Sequence, residues 1–333
     1  MKIVIVTPAA ARVRNGNRNT AQRWAGMLRQ LGHRVGIQVE WDGKDTDLML
    51  ALHARRSHAS IKRFAELRPG APLVVVLTGT DLYRDIRVDA NAQESMRLAT
   101  HLVVLQEMAL NELAQYLRDK THVIYQSAGA LKLVAPSKRR FDVCVIGNLR
   151  EEKDPFRCAL ASAALPANST ILVRHMGRAL DDSMARQARE LMSHNRRYRW
   201  LGESPHWQVR RELARSRLMV ISSFMEGGAN AISEALAAGV PVIASDVPGN
   251  IGMLGTDYAG YYPCADEQAL ADMLYRAEKN ADFYGRLKMQ CWERKELILP
   301  ERERTALKAL IVAATATSAP SAPSPPPPAG KEP

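Results

Sequence analysis

The sequence is short of several things, and each shortage removes a class of protein. Its four cysteines, Cys144, Cys158, Cys264 and Cys291, are scattered through 333 residues with no C-x-x-C spacing. That argues against a zinc knuckle and against a disulfide framework, and free cytosolic thiols are the expectation. Aromatic residues make up 6% of the chain. No RNP-like aromatic set and no helix-turn-helix pattern accompanies the basic charge, so no nucleic-acid partner is expected. No apolar run approaches the roughly 18 residues a membrane helix needs. The opening M-K-I-V-I-V-T-P holds one Lys and four apolar residues before Thr7-Pro8. This is too short for the hydrophobic region of a signal peptide and reads as a buried first strand. A cytoplasmic location is therefore expected.

What remains is an ordinary globular body, 46% hydrophobic and 24% charged, long enough for two domains of about 150 residues, each with its own core. The net charge of +11 favours an anionic partner: a phosphorylated metabolite, nucleic acid or an acidic membrane surface.

Short β-branched runs alternate with longer amphipathic stretches, the pattern of parallel sheets built from βαβ units. Strands are predicted at Lys2 to Val6, Leu48 to Leu52, Leu73 to Leu77, His101 to Leu105 and His122 to Tyr125. Ala9 to Asn19 reads as a loop and Thr20 to Leu31 as a helix stopped by Gly32. The basic, Pro-containing stretch Ala135 to Arg140 breaks the pattern, which sets a domain boundary at 136/137. Beyond it come strands at Phe141 to Ile146, Thr170 to His175, Leu218 to Ser222 and Val242 to Ser245. Helices are predicted at Asp182 to Ser193, Gln208 to Ala214 and Asn230 to Ala238. The expected architecture is α/β: two doubly wound Rossmann-like domains, 1–136 and 137–316, the second closing with a terminal helix. The Ser/Ala/Pro-rich segment 317–333 is expected to be a disordered tail. In open parallel sheets ligands bind outside the carboxyl ends of the strands, so the site should lie in the cleft between the domains.

The segment Arg215 to Ser245 carries the clearest chemistry. A strand runs into Glu226-Gly227-Gly228-Ala229-Asn230, a helix opens there, and a Gly239-Val240-Pro241 turn feeds the next strand. Glycines let backbone amides approach a ligand, and a helix N-terminus offers unpaired N–H groups with partial positive charge, so a phosphate fits. Glu226 on the loop and Glu234 one turn into the helix then suit neutral hydroxyls, as sugars and ribose present. The bland alternative is a plain βαβ unit with a Gly-Gly turn and solvated glutamates.

This stretch resembles the glycosyltransferase family 4 signature on the GT-B fold, two glutamates at that spacing followed by the A-x-G-x-P-V turn. The resemblance implies that Glu226 binds the donor sugar, Glu234 the ribose, and the amides of Gly227, Gly228, Ala229 and Asn230 the distal phosphate. Val143 to Asp154 looks like the family's G-R-L-x-x-x-K-G element, carrying Gly147 and Asn148 to the donor site and Lys153 to the leaving diphosphate. Asn148 stands where the family has Arg, and Arg150 is the candidate to supply that charge. Lys153, Arg150 and Glu226 are accordingly the expected catalytic residues, and no divalent metal or other cofactor is expected.

In the first half, Gly16 begins G-N-R-N-T where many members have G-G, a donor contact by resemblance. Thr78-Gly79-Thr80-Asp81 stands where many have H-G-x-D. Loops expected to face the cleft carry Arg12, Arg14, Arg18, Arg55, Arg56 and Arg84. Arginine suits a small anionic acceptor because its planar fork pairs bidentately with phosphate-like oxygens. His53, before Arg55-Arg56, is either a base or a satisfied core histidine. The acceptor set is thus Arg18, His53, Arg55, Arg56, Thr78 and Asp81. H-A-R-R-S, T-G-T-D-L-Y-R-D and E-G-G-A-N together are similar to the selenosugar synthases of selenoneine biosynthesis, a branch of family 4. That similarity implies UDP-N-acetylglucosamine or UDP-glucose as donor and selenophosphate as acceptor. Rivals are an ordinary family 4 transferase with a lipid or polysaccharide acceptor, a binding module without turnover, and a sugar-nucleotide epimerase. Stable membrane association is not expected, because the helix from Thr20 offers only Trp24 as an anchor.

Overall fold

The computed structural model describes residues 1–10, 16–131 and 134–316; Arg12, Arg14 and the expected tail 317–333 lie outside them. Strands β1 (Lys2–Val6), β2 (Arg34–Gln38), β3 (Leu48–Leu52), β4 (Leu73–Val76), β5 (His101–Val104) and β6 (Thr121–Val123) form one sheet, in the order β2-β1-β3-β4-β5-β6. Strands β7 (Phe141–Ile146), β8 (Ile171–Met176), β9 (Tyr198–Trp200), β10 (Leu218–Ile221), β11 (Val242–Ser245) and β12 (Tyr261–Tyr262) form the second, in the order β12-β11-β10-β7-β8-β9. Every pairing is parallel.

Parallel sheets need crossover helices, and these cover both faces. In the first domain they are α1 (Gly16–Gln30), α2 (His58–Leu67) and α3 (Ala90–Leu98). In the second they are α4 (Arg157–Ala163), α5 (Asp182–His194), α6 (His206–Arg215), α7 (Asn230–Ala238) and α8 (Pro248–Leu254), and α9 (Glu267–Lys279) and α10 (Ala281–Glu293) follow the last strand. The central strands are consequently buried along their whole length, as at Leu48 to Leu52 and Leu218 to Ile221. Strand order reverses between β1 and β3 in one sheet and between β7 and β10 in the other. These two switch points open crevices at the carboxyl ends of the strands.

The predicted bounds of β1, β3, β7, β11 and α7 are those observed. Three strands escape the sequence pattern: β2, β9 and β12. All lie at or beside a sheet edge, where R-V-G-I-Q, for instance, is half-exposed and loses the continuous apolar run of a central strand. The helix expected from Thr20 begins at Gly16, so the expected loop is shorter by residues 16–19. Its first turn, G-N-R-N, is polar and holds no buried residue, so periodicity cannot reveal it. Thr20 Oγ1 donates to the Gly16 carbonyl at 2.9 Å and fixes that turn.

The last helix, α11 (Pro300–Ala316), was grouped by sequence order with the second domain; it packs on the first. Leu307, Leu310, Ile311 and Ala314 join a cluster with Trp24 and Leu28 of α1 and Ile3 and Ile5 of β1. A carboxylate with no exposure pins it there: Glu303 accepts from Arg23 Nε at 2.9 Å, Trp24 Nε1 at 2.6 Å and the Ser127 amide at 2.9 Å.

Candidate functional site

At the switch point of the second sheet, the loops after β7 and β10 lie side by side and are sewn together. Ser222 Oγ lies 2.8 Å from the Asp154 carbonyl and 3.1 Å from that of Lys153, and the Phe224 amide donates to the Glu152 carbonyl at 3.0 Å. This stitching brings the Lys153 ammonium onto Oε1 of Glu226, which also accepts from Ser223 Oγ at 2.6 Å. Glu226 is 7% exposed. Behind the loop, Gly249 in α8 meets the Glu226 carbonyl so closely that any side chain there would collide with it. Lys153 and Glu226, expected to serve diphosphate and sugar separately, are thus a mutual ion pair. Arg150 stands half-exposed nearby, its Nε 4.0 Å from Glu152 Oε2.

The start of the β7 loop rests on a buried histidine. His175 Nε2 lies 3.0 Å from the Gly147 carbonyl and Nδ1 lies 2.9 Å from the Tyr198 hydroxyl. A carbonyl only accepts, so Nε2 carries the proton and Nδ1 accepts from the phenol. Burial pushes His175 down to about 4. Its folded pKa is below its unfolded one, so the stability it contributes is present above about pH 6.5 and is lost as pH falls toward about 4. Wild-type protein should lose about 2 kcal/mol of this contribution by about pH 5. Urea midpoints for wild type and His175→Gln measure it: the variant's acid slope should be shallower, and equal slopes would refute the assignment. Asn148 does not face the site freely, because its Oδ1 accepts the Arg178 amide at 3.0 Å.

Helix α7 opens at Asn230 with Ala229 as its cap residue. The Asn230 side chain reaches across the domain boundary to Arg23, Nη1 to Oδ1 at 3.2 Å, and Gly16 stands beside its amide nitrogen. Glu234 is half-buried one turn on, and His206 Nε2 meets its Oε1 at 2.8 Å. Gly227 and Gly228 have a neighbour the sequence did not suggest. Side chains there would run into the Thr78 carbonyl and into Leu105, both from the first domain. The glycine pair therefore lets the two domains touch as well as exposing amides.

On the first-domain side, His53 follows β3 with a left-handed φ of 75°, a strained conformation for a non-glycine residue. Its Nδ1 accepts the Arg56 amide at 3.4 Å and its Nε2 lies 3.2 Å from Thr80 Oγ1. It is buried, and burial lowers its pKa despite the nearby Asp81 and Asp85. Asp81, expected at the acceptor, is instead the loop's internal anchor: it is fully buried and accepts amides from Ala54 at 3.0 Å, Thr78 at 2.9 Å and Gly79 at 2.8 Å. Its lone pairs are committed to the backbone. Thr78 is half-buried, with its hydroxyl 3.4 Å from the same carboxylate. Arg55 Nε donates to Asp85 Oδ2 at 2.7 Å. Burial pushes the Asp85 carboxyl up, and the Arg55 guanidinium more than offsets this, leaving it below the usual range. Arg55 is thus already spent in an ion pair. Arg56 is exposed, Arg18 is half-buried in the first turn of α1, and Arg84 Nη1 lies 3.8 Å from Glu152 of the second domain.

Sequence reasoning missed His206, His175, Ser223 and Arg23. His206, His175 and Arg23 act through partners at least one element away, which no local spacing announces, whereas Ser223 meets Glu226 within its own loop at 2.6 Å. Among the described residues no group of three or more His, Cys, Asp or Glu is arranged to hold a metal ion, and no helix is long and apolar enough to cross a membrane.

Residues 132–291 match the family model for Glycosyl transferases group 1. Solved structures agree on the fold. The Anabaena protein Alr3699/HepE, solved with UDP and with UDP-glucose, superposes with a TM-score of 0.73 at 15% identity, covering 95% of this chain and 100% of that one. Sucrose-phosphate synthase from Thermosynechococcus elongatus gives 0.76 at 16%, covering 94% and 99%. A glycosyltransferase from Rickettsia africae gives 0.70 at 13%, covering 96% and 99%.

Proposed function

From the premise that this chain carries a group 1 glycosyltransferase domain on a GT-B fold, we propose that it is an enzyme transferring the sugar of a UDP-sugar to selenophosphate. The donor is UDP-N-acetylglucosamine or UDP-glucose, and the product is a selenosugar with a new C–Se bond, on the route to selenoneine. One observation carries the donor half: Lys153 pairs with Glu226 at the switch point of the second sheet, on the loop that leads into helix α7, which carries Glu234. In this reading Lys153 and Arg150 stabilise charge on the departing UDP, and the N-terminal amides of α7 hold its distal phosphate. Glu226 and Glu234 accept from sugar and ribose hydroxyls. Binding of the diphosphate exchanges Lys153 from Glu226 to phosphate, freeing Glu226 for the sugar. The complexes of HepE with UDP and UDP-glucose support a uridine donor.

The acceptor half rests on the loop after β3. Nδ1 of His53 meets the Arg56 amide within that loop and Nε2 meets Thr80 Oγ1 in the loop after β4, and Thr78 replaces the family's histidine, so neither position supplies an unpartnered imidazole. A selenium nucleophile, ionised at neutral pH, needs no strong base. Holding the two substrates together then does most of the work. Arg56, exposed in the loop after β3, is an arginine that could meet an anion. Replacing Arg56 by Ala should raise the selenophosphate KM about tenfold with donor affinity unchanged. Replacing Arg55 should instead leave Asp85 with Arg84 alone as its hydrogen-bonding guanidinium and lower stability. Steady-state kinetics and thermal melts separate the two, and normal acceptor kinetics in Arg56→Ala would remove it from the site.

The deciding assay incubates the protein with each UDP-sugar, with and without selenophosphate, and with EDTA, reading free UDP and the selenium product by mass. UDP release dependent on selenophosphate and indifferent to EDTA is expected. Release with a lipid acceptor but not selenophosphate would establish the ordinary transferase, and rescue of EDTA-treated enzyme by magnesium or manganese would overturn the metal-free assignment.

A further inference from the structure

His206 belongs to none of the motifs read from the sequence, yet it touches one of their central residues. It is the first residue of α6, follows Pro205, and is 61% exposed at its side chain. Its Nε2 lies 2.8 Å from Oε1 of Glu234, whose side chain is 16% exposed. A helix-borne carboxylate at a cleft has a choice of rotamers, and two hydroxyls on one ribose demand one plane. A fixed bond to one oxygen selects that plane and leaves Oε2 and the second lone pair of Oε1 for the ligand. Four residues along the same helix, Arg210 Nη2 donates to the Gly129 and Ala130 carbonyls at 2.7 and 3.0 Å. Helix α6 is therefore anchored at one point to the segment joining the domains and reaches the donor carboxylate at another.

We propose that His206 is a positioning residue of the donor site, setting the Glu234 carboxylate for the vicinal hydroxyls of the donor's ribose. This rests on the donor role given above to Glu234. The charged groups acting on the imidazole are Glu234 from α7 and Arg210 from its own helix. The bond to Glu234 raises the histidine's pKa, while burial and Arg210 oppose the rise. The charged pair is therefore full below the ordinary histidine range and is lost as pH climbs through the raised value.

Calorimetric titration of UDP into wild type, His206→Ala and His206→Gln, from about pH 6 to about pH 8.5, tests this. Wild-type affinity should fall across the range. His206→Ala should bind about five- to tenfold more weakly at the acid end and show no such fall. Gln keeps an N–H donor without a titrating group, so His206→Gln should recover most of the affinity and be flat with pH. In turnover, the alanine variant should raise the donor KM and leave kcat within about twofold. An affinity and pH profile in His206→Ala equal to wild type would overturn the proposal. Failure of the wild type itself to bind UDP would overturn the donor reading, a result visible before any substitution. A further arm needs no nucleotide: the His206 pKa, followed by NMR, should drop in Glu234→Gln, and an unchanged value would show that the pair does not form in solution.

Discussion

Lys153→Ala should lower turnover with a UDP-sugar by about 10²–10³-fold, the cost of removing one preorganised charge from where charge develops in the transition state. The loss should exceed the loss of UDP-sugar affinity, because the diphosphate carries more charge as it leaves than when it binds as part of the sugar nucleotide. Fold should be retained: Lys153 is held by its carbonyl, which Ser222 engages, and among the described residues its side-chain ion pair is with Glu226. Lys153→Arg keeps the charge and should restore part of the rate. Single-turnover kinetics together with UDP-sugar calorimetry make the comparison, and an alanine variant within threefold of wild type would take Lys153 out of the reaction.

The second large effect concerns stability. Glu303→Ala removes the carboxylate on which Arg23, Trp24 and Ser127 converge and leaves a buried indole N–H and a buried amide without an acceptor. Breaking such a cluster from one side costs about 3–5 kcal/mol. Denaturant unfolding should show that loss. Because Arg23 also holds the Asn230 side chain at the mouth of α7, donor affinity should weaken too. Glu303→Gln, which keeps an acceptor oxygen, should lose less than the alanine. A stability equal to wild type would mean that α11 is held by its apolar face alone.

The sequence made the architecture legible because fully buried strands write themselves as short apolar runs. Leu48 to Leu52 and Phe141 to Ile146 are recognisable without any partner, whereas Arg34–Gln38 is not. The loop proposed to hold the donor stands out for a different reason, its glycines and glutamates being compressed into nine residues, 226–234, around one helix N-terminus. What escaped was what pairs at long range. Asp81 looked like a cleft residue from its motif, but the amides of Ala54, Thr78 and Gly79 claim it from three positions at once. Gly227 and Gly228 looked like phosphate-facing residues, and the second reason for them, Thr78 and Leu105, lies in the other domain. Arg55 and Arg56 are adjacent and alike in sequence, and only the position of Asp85 tells them apart.

The return of α11 to the first domain also bears on how the protein is made. A ribosome releases residues 1–136 long before residues 300–316, so the nascent first domain must wait with Trp24, Leu28 and their neighbours lacking their final cover. Its sheet can form, but one face stays greasy until translation is nearly over. A fragment ending near the domain boundary should therefore be prone to aggregate, and the same fragment supplied with a peptide of the last helix should be rescued into solution.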